Sequence, residues 1–258
     1  MDLQLEGIKV VITAGAAGLG FEIASQLLQE GAEVAILDVD TAAVDEARLA
    51  LPHLHAAVCD ISDRSAVSEA VRVMKADLGG VDVLINNAGI SGNTSPIQDA
   101  DPDDWEATLG VNLTGTFNVT RAVVPHLLES PHGSILNISS VAGLHGFPHR
   151  APYSASKWGI IGLTKTLSIE LGTHGIRVNA LCPGSLDSPR GRRVINALAV
   201  SRSVPVAEIE ESVLSKMAIK KFVPLAEVAR MACFLASPVN TTLTGQVIAV
   251  DGNTLSMA

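Results

Sequence analysis

The only tyrosine of the chain, Tyr153, stands four residues before Lys157 in the segment Tyr-Ser-Ala-Ser-Lys. In a helix, this spacing places the phenol and the ammonium group on one face. A nearby positive charge favours the phenolate and lowers the pKa of a tyrosine from about 10 toward values useful for proton transfer. An exposed helix start can contain the same pair by chance, so its meaning depends on its surroundings. Ser140 lies 13 residues upstream, just after a predicted strand, and Asn112 lies in the long helix predicted before it.

A second chemical feature is the glycine-rich segment 13–20, between the first predicted strand and the first predicted helix. Glycines there let the backbone approach a pyrophosphate, and the helix N-terminus supplies N–H groups; a sharp turn also needs glycine for purely backbone reasons. Asp38 ends the next predicted strand, 20 residues after Gly18. A carboxylate there accepts hydrogen bonds from ribose hydroxyls and repels a 2′-phosphate. Neither 14–19 nor 38–41 contains Lys or Arg, so the sequence favours NAD over NADP.

These residues must be positioned by strands and helices, which alternate along the chain. Predicted strands cover 8–13, 33–38, 56–60, 81–86, 134–139, 177–182 and 246–250. Predicted helices cover 19–30, 42–51, 65–78, 103–129, 153–171 and 225–235, and Pro125 can bend or shorten the longest. Strands that are apolar on both faces predict a parallel sheet of about seven strands with helices on both sides. The sequence therefore predicts one doubly wound α/β domain of the Rossmann type over 1–258, with the looser stretch 185–221 as a substrate lid.

Composition and charge exclude several classes of protein. Twenty-seven acidic and 18 basic side chains give a formal charge of −9, which argues against nucleic acid or an anionic membrane surface as a partner. Cys59, Cys182 and Cys233 form no CxxC pattern and fit a reducing compartment. No signal peptide and no apolar run of roughly 18–20 residues is found, and neither His145 nor His149 has a partner at metal-ligand spacing. We expect a cytoplasmic protein without a metal site.

Taken in order, these motifs resemble the short-chain dehydrogenase/reductase family, non-extended type. The resemblance covers essentially the whole chain, up to the segment Leu-Thr-Gly-Gln-Val-Ile-Ala-Val-Asp-Gly at 243–252. It implies an NAD-dependent oxidoreductase that interconverts a secondary alcohol and a ketone on a small-molecule substrate. The motifs that carry it are the glycine turn, Asp38, Asn86-Asn87-Ala88-Gly89, Asn112, Ser139-Ser140, Tyr153 with Lys157, and Pro183-Gly184.

The resemblance also implies roles for individual residues. Tyr153 would be the general acid/base, and Lys157 would lower its pKa and hydrogen-bond the nicotinamide ribose. Ser140 would hold and polarise the substrate carbonyl, and Asn112 would support a proton relay through water. Asp60 and the Ile61 amide would meet adenine, and Ser188 would face the carboxamide. The full implied cofactor-binding set, besides Tyr153 and Lys157, is Thr13, Gly15, Ala17, Gly18, Leu19, Asp38, Asp60, Ile61, Asn87, Ala88, Gly89, Pro183, Gly184 and Ser188.

One position departs from the family pattern, because Ala14 stands where the first glycine of the turn is usual. An added Cβ is harmless at negative φ and costly at positive φ. We expect Gly15 to take over the permissive conformation, so that Ala14→Gly leaves cofactor affinity within a few-fold.

Substrate-binding residues are expected after the sixth predicted strand and around Tyr153. Three nearby arginines, Arg190, Arg192 and Arg193, could hold a carboxylate or phosphate, although a solvated helix face contains such charges too. The few aromatic residues of the lid favour a small polar hydroxy compound such as a polyol, a sugar or a hydroxy acid. Besides Ser140 and Tyr153, the predicted substrate residues are Leu144, His145, Arg150 and Leu186, with Ser91 and Phe147 as further candidates.

The predicted helix 153–171 is apolar on more than one side, which is wider than covering one sheet face requires. The resemblance implies a homotetramer built from such helices; a wide core helix is the alternative. Two other functions stay open. A 3-oxoacyl-carrier-protein reductase usually implies NADPH and a basic docking surface, against which Asp38 and the charge of −9 count. A non-catalytic dinucleotide-binding regulator would have no need of Tyr153 and Lys157.

Overall fold

The computed structural model describes residues 2–256. Seven parallel strands form the main sheet in the order β3-β2-β1-β4-β5-β6-β9, and β7 pairs only with β8. The strands are β1 Lys9–Thr13, β2 Glu33–Asp38, β3 His55–Val58, β4 Val83–Asn86, β5 Ser134–Ile138, β6 Arg177–Pro183, β7 Leu186–Asp187, β8 Val223–Pro224 and β9 Val247–Val250.

Helices cover both faces of this sheet, as predicted. They are α1 Gly18–Gln29, α2 Thr41–Ala50, α3 Arg64–Leu78, α4 Pro102–Leu109, α5 Thr116–Leu127, α6 Ala151–Gly172, α7 Pro189–Arg202, α8 Val206–Ser215 and α9 Leu225–Ala236. The doubly wound α/β fold predicted from the sequence is confirmed.

Two separate cores hold the helices on the sheet. Successive side chains of a strand point to opposite faces, so Val10 and Ile12 of β1 join the core under α1 and α9, whereas Val11 joins the core under α3 and α5. Strands β4, β5 and β6 are buried along their whole length. Both faces of these strands are therefore covered, and even their polar side chains, such as Asn137 and Asn179, are buried.

Strands β1 and β4 lie side by side at the centre of the sheet. After β1 the chain adds β2 and β3 on one side, and after β4 it adds β5, β6 and β9 on the other, so the strand order reverses between β1 and β4. In open α/β sheets, ligands bind in the crevice outside the carboxyl ends of the strands at such a point. The glycine turn follows β1, and Asn87 follows β4. The fold therefore places both segments at one edge.

The helix predicted over 103–129 is interrupted in its middle. Residues Gly110–Gly115 form a π-helical turn between α4 and α5. Pro125 lies inside α5, which continues to Leu127 without a break at that residue. The backbone stays helical through the π turn, so the sequence predicts one continuous helix where the structure has two.

The stretch 185–221, predicted to be loose, contains two helices, α7 and α8. Ser188 caps α7 by accepting a hydrogen bond from the N–H of Gly191 at 3.0 Å, and Pro189 occupies the first helical turn. Ser followed by Pro is a helix-start signature. The sequence analysis missed that signature; Gly191, a poor helix former, stands three residues after Ser188.

Within residues 2–256, no helix is long and apolar enough to cross a membrane, and no three His, Cys, Asp or Glu side chains are grouped to hold a metal ion. Cys59, Cys182 and Cys233 are buried free thiols. Burial raises the pKa of Cys59 and Cys182 to about 11 and that of Cys233 to about 12. These thiols therefore stay protonated and unreactive at neutral pH.

Candidate active site

The first helix opens into the crevice without a side-chain cap. Ala17, at its N-terminal boundary, is extended, and no side chain in the described part of the chain accepts from its first N–H groups. Gly18 adopts φ +57°, and a Cβ there would project into open space. Free N–H groups at a helix N-terminus suit an anion. The turn thus fits the pyrophosphate of a dinucleotide.

The conformation of the turn differs from the sequence-based expectation at Ala14. Ala14 itself adopts the left-handed conformation, with φ +49°, and Gly15 does not. A Cβ on Gly15 would instead clash with the side chain of Ile36 on β2. The expectation that Gly15 takes the permissive conformation is therefore wrong: Gly15 is required for close packing, and Ala14 bears the cost of the left-handed turn.

Asp38 braces the same turn from the neighbouring strand. Its Oδ2 accepts a hydrogen bond from the N–H of Ala16 at 3.0 Å, and its Oδ1 accepts one from Asp40 at 3.2 Å. The carboxylate lies at the end of β2, where a ribose hydroxyl would reach it. The ribose contact of Asp38 stays a prediction, and the sequence analysis missed the brace, since that contact depends on how the turn folds back.

Thr13 ties the loop after β4 to the glycine turn. Its hydroxyl oxygen accepts from the N–H groups of Asn87 and Ala88, each at 3.0 Å. The Asn87 side chain donates to the carbonyls of Thr13 at 3.1 Å and Ala14 at 2.9 Å. Thr13 is buried, so it acts on the crevice through Asn87.

Tyr153 and Lys157 lie together on α6, as their spacing predicts. The Lys157 Nζ is 5.8 Å from the centre of the Tyr153 ring and donates to the carbonyl of Ile138 at 2.8 Å. Ser140 follows β5; its hydroxyl oxygen accepts from the N–H of Ala142 at 3.1 Å, and the side chain lies close enough to the phenol to lower its pKa. The end of β5 and the start of α6 therefore meet at the phenol.

The charge around the phenol favours its ionised form. Burial by itself raises the pKa of Tyr153, but the positive charges of Lys157 and Arg190, the Ser140 hydrogen bond and the charge of Arg150 outweigh burial and hold this pKa below its usual value. Burial lowers the pKa of Lys157, and the neighbouring phenolate opposes that shift. A tyrosine in these surroundings exchanges a proton with a substrate oxygen more readily than an unperturbed phenol does.

Asn112 stands in the π turn, and its carboxamide is fully buried. The amide oxygen accepts from the N–H of Ile90 at 2.7 Å, and the nitrogen donates to the Ile90 carbonyl and to Ser156 Oγ, each at 3.0 Å. A Cβ on Gly89 would lie 3.1 Å from this oxygen and 3.4 Å from Lys157 Nζ. Asn112 thus fixes the loop after β4 against α6; its part in a proton relay stays a prediction.

A cavity of about 500 Å³ joins the glycine turn to Tyr153 and continues under α7 and α8. The far wall is apolar and comes from residues that the sequence analysis did not single out, five of them in the stretch 185–221 predicted as a lid: Ile195, Leu198, Ile209, Val213, Met217 and Phe222. Predicted site residues that line the cavity are Ala17, Gly18, Leu19, Asn87, Gly89, Ser140, Arg150, Tyr153, Lys157, Pro183, Gly184, Leu186 and Ser188. Predicted residues outside its wall are Thr13, Gly15, Asp38, Asp60, Ile61, Ala88, Asn112, Leu144 and His145.

The three arginines after β7 do different things. Arg192 makes an ion pair with Asp187 at 2.9 Å. Arg190 reaches back over the cavity and donates to the carbonyl of Gly89 at 2.8 Å and to Ser91 Oγ at 3.2 Å. Arg193 lines the cavity. The cluster is therefore not one solvated face.

Comparison with known proteins identifies the class. Residues 9–198 match the family model described as short chain dehydrogenase. The chain belongs to the short-chain dehydrogenase/reductase family, whose members are oxidoreductases acting on alcohol groups and bind a nicotinamide dinucleotide. The family predicted from the motifs is confirmed.

Particular proteins are similar over nearly the whole chain. A 3-oxoacyl-(acyl-carrier-protein) reductase of Thermotoga maritima is 37% identical over 254 residues, 97% of this chain and 98% of the relative. A 2-dehydro-3-deoxy-L-rhamnonate dehydrogenase (NAD(+)) of Sphingomonas sp. strain SKA58 is 35% identical over 242 residues, 94% of this chain and 93% of the relative. A crystal structure of actinorhodin polyketide ketoreductase with NADPH superposes with a TM-score of 0.90 at 32% identity, over 95% of this chain and 96% of the other.

Replacing Ala14 by glycine tests the left-handed turn. The left-handed conformation costs an L-residue roughly 1–2 kcal/mol, part of which the greater backbone freedom of glycine offsets. We expect Ala14→Gly to raise the free energy of unfolding by about 1 kcal/mol. The dissociation constant for NADH, measured by fluorescence titration, should stay within a few-fold because the turn keeps its shape.

Ala17→Gly is the matched control, since Ala17 is extended, with φ −147°. It should give no gain in the free energy of unfolding, which a urea titration measures for both variants. A tenfold change in NADH affinity for Ala14→Gly, in either direction, would contradict the assigned conformation.

Proposed function

We propose that this protein is an NAD-dependent oxidoreductase that interconverts a secondary alcohol and a ketone. The observation that supports this most directly is the phenol of Tyr153, which meets Ser140 and the charge of Lys157 at the wall of a cavity that begins at the glycine turn. A regulator that only binds a dinucleotide would have no use for this arrangement.

Bound nicotinamide dinucleotide would accept or supply the hydride. The glycine turn, Asp38, Asn87, Lys157 and Ser188 would hold it. During alcohol oxidation, Tyr153 takes the hydroxyl proton as the carbon loses its hydride, and during ketone reduction it returns that proton. Ser140 donates a hydrogen bond to the reacting oxygen, and the Lys157 charge stabilises the phenolate.

Tyr153→Phe tests this mechanism. A positioned general acid/base contributes typically 10²–10⁴-fold in rate, so we expect the variant to lose at least 100-fold in turnover. Its affinity for NADH should stay within a few-fold, because the hydroxyl is the only group removed. NADH formation from NAD with a panel of secondary alcohols measures the first quantity, and fluorescence titration measures the second.

The pH profile supplies the control. The oxidation rate should rise with pH as the phenol loses its proton and should level off at a pH below the usual tyrosine pKa of about 10. Arg190→Met removes a positive charge and should move the rise to higher pH. Tyr153→Phe with unchanged turnover would contradict the assigned role, and a wild-type protein that binds NADH without turnover would be a regulator.

The preference for NAD rests on Asp38. Its carboxylate stands where a 2′-phosphate would meet like charge, and neither 14–19 nor 38–41 contains a basic residue. The similar proteins include one named for NAD(+) and one solved with NADPH, so the choice depends on this chain's own residues.

Asp38→Asn separates the charge of Asp38 from its bracing role, since an amide oxygen can still accept from Ala16. We expect the ratio of kcat/KM with NAD to that with NADP to fall at least tenfold. Asp45→Asn, which removes an exposed charge from α2, is the matched control and should leave the ratio unchanged. An Asp38→Asn ratio equal to that of the wild type would overturn the assignment.

The substrate is proposed to be a small polar hydroxy compound, such as a polyol, a sugar or a hydroxy acid. Polar side chains surround the reacting end of the cavity, including Ser91, Ser140 and Arg150. The helices α7 and α8 would act as its lid, and their apolar side chains would exclude water from the reaction.

A 3-oxoacyl-carrier-protein reductase is the second candidate, favoured by the Thermotoga maritima relative. Acetoacetyl-coenzyme A reduced with NADPH distinguishes the two functions. Efficient turnover of that thioester, with none of small polar alcohols, would support the second candidate.

We also propose that the protein is a cytoplasmic homotetramer. Large apolar side chains are exposed on two helices: Trp158 and Ile169 of α6, exposed at 51% and 79%, and Phe117 of α5, exposed at 46%. Exposed apolar surface is typical of subunit contacts where it is contiguous. Sedimentation at micromolar concentration should give four times the 26.8 kDa chain mass; a monomer there would contradict the proposal.

A further inference from the structure

Arg150 is a buried cation without a matching anion. It directly precedes α6, and its side chain is buried, with 2% of the residue exposed. One guanidinium nitrogen donates to the carbonyl of Ser91 at 2.6 Å and another to Thr94 Oγ1 at 3.4 Å. The Nε–H has no hydrogen-bond partner, and no carboxylate of residues 2–256 lies within ion-pair distance. A buried charge in this condition is costly unless something compensates it.

The backbone before Arg150 is also strained. His149 adopts φ +64°, in the left-handed region that a non-glycine residue seldom occupies. The carbonyl of His149 accepts from the N–H of Ser95 at 3.0 Å, which fastens this turn to the loop after β4. Strain of this kind persists only where the surroundings enforce it, and it is common at binding sites.

Arg150 lies beside the reacting centre. Its guanidinium carbon is 5.3 Å from the centre of the Tyr153 ring and 5.5 Å from that of Phe147. Arg150 lines the cavity that contains Tyr153 and Ser140. A ligand group bound to it would therefore belong to the same molecule whose oxygen meets Tyr153.

A second cation converges on the same point. Arg190 donates to Ser91 Oγ, while Arg150 donates to the carbonyl of the same residue. Both partners of Arg190, Ser91 Oγ and the Gly89 carbonyl, are neutral. The two guanidinium groups line both the main cavity and an adjoining recess of about 480 Å³. Two like charges are thus held together at a serine, with no carboxylate bonded to either.

Few negative charges act on this pair. The phenolate of Tyr153 acts most on Arg150, and Asp104 acts less; its Oδ2 accepts from the N–H of Asn93 at 2.9 Å and makes no ion pair with either arginine. Arg192, on the same turn of α7 as Arg190, pairs with Asp187. The contrast singles out Arg150 and Arg190 as the cations that await a ligand.

We propose that Arg150 and Arg190 bind a carboxylate of the substrate, so that the secondary alcohol is a hydroxy acid. The inference rests on the proposed oxidoreductase function and narrows its substrate class. A carboxylate accepts charge-assisted hydrogen bonds through both oxygens, and the guanidinium groups of Arg150 and Arg190, which both line the cavity, would donate them. The pyrophosphate of the cofactor would not compete, because it belongs at the glycine turn.

Matched pairs of acids and amides test the proposal. Lactate, 3-hydroxybutyrate and 4-hydroxypentanoate place the carboxylate at increasing distance from the hydroxyl, and their primary amides are neutral counterparts of nearly the same shape. We expect kcat/KM for NADH formation to be at least tenfold higher for one acid than for its amide. The assay is run at a pH above the rise of the profile, where the effect of Arg190 on the ionisation of Tyr153 no longer enters.

Arg190→Met should lower kcat/KM for that acid at least tenfold, mainly through KM, and should leave the amide within a few-fold. Arg192→Met, which removes the same charge from the same helix, should leave both substrates unchanged. Arg150→Lys keeps a buried cation and should retain part of the preference, whereas Arg150→Met should abolish it. If Arg150→Met fails to fold, the result for Arg190→Met decides the test, because Arg190 is exposed.

Equal use of acids and amides, or equal losses for both in Arg190→Met, would overturn the proposal. A phosphorylated alcohol preferred over every acid would overturn the carboxylate in favour of a phosphate. Failure of the oxidoreductase function looks different, because no alcohol of either series would then give NADH. In that case, titration of the NADH-loaded Tyr153→Phe protein with acetoacetate still decides the matter: binding that Arg190→Met abolishes supports the carboxylate site, and no binding overturns it.

Discussion

The site depends on one buried ammonium group, Lys157. It is only 4% exposed and survives there because the Ile138 carbonyl accepts from it and the phenol of Tyr153 lies close by. A buried cation is tolerated only with such partners. Strand β5 supplies the carbonyl, α6 supplies the lysine and the phenol, and the end of β5 supplies Ser140. The register between strand and helix therefore sets the electrostatics of the phenol.

Hydrogen bonds from side chains to the backbone hold the loops of the site around this ammonium group. Thr13 holds the loop after β4, Asp38 holds the glycine turn, and Asn112 holds Ile90. None of these three side chains lines the cavity. They hold the loops that form its wall, so the shape of the crevice depends largely on residues that do not line it. Helix α7 lines the cavity with both apolar side chains, such as Ile195 and Leu198, and arginines, such as Arg190 and Arg193.

The sequence predicted the sheet, its parallel strands and the meeting of Tyr153, Lys157 and Ser140, because these follow from residue periodicity and from the order of motifs. It could not predict the conformation of Ala14, which depends on the packing of Gly15 against Ile36. The helix α7 was missed because Gly191, a poor helix former, lies in its first turn, and α8 was missed as well. The isolation of Arg150 from acidic partners depends on contacts between distant loops, which no local pattern encodes.

The π turn at Gly110–Gly115 separates the side-chain directions of α4 from those of α5. Each residue of an α-helix turns the chain by about 100°, so one additional residue lets the two helices face different neighbours. Helix α4 packs against α6, and α5 packs against α3 and β4. If the π turn were one residue shorter, both sets of contacts could not form together. A single inserted residue thus lets one long helix serve both the core and the reacting centre.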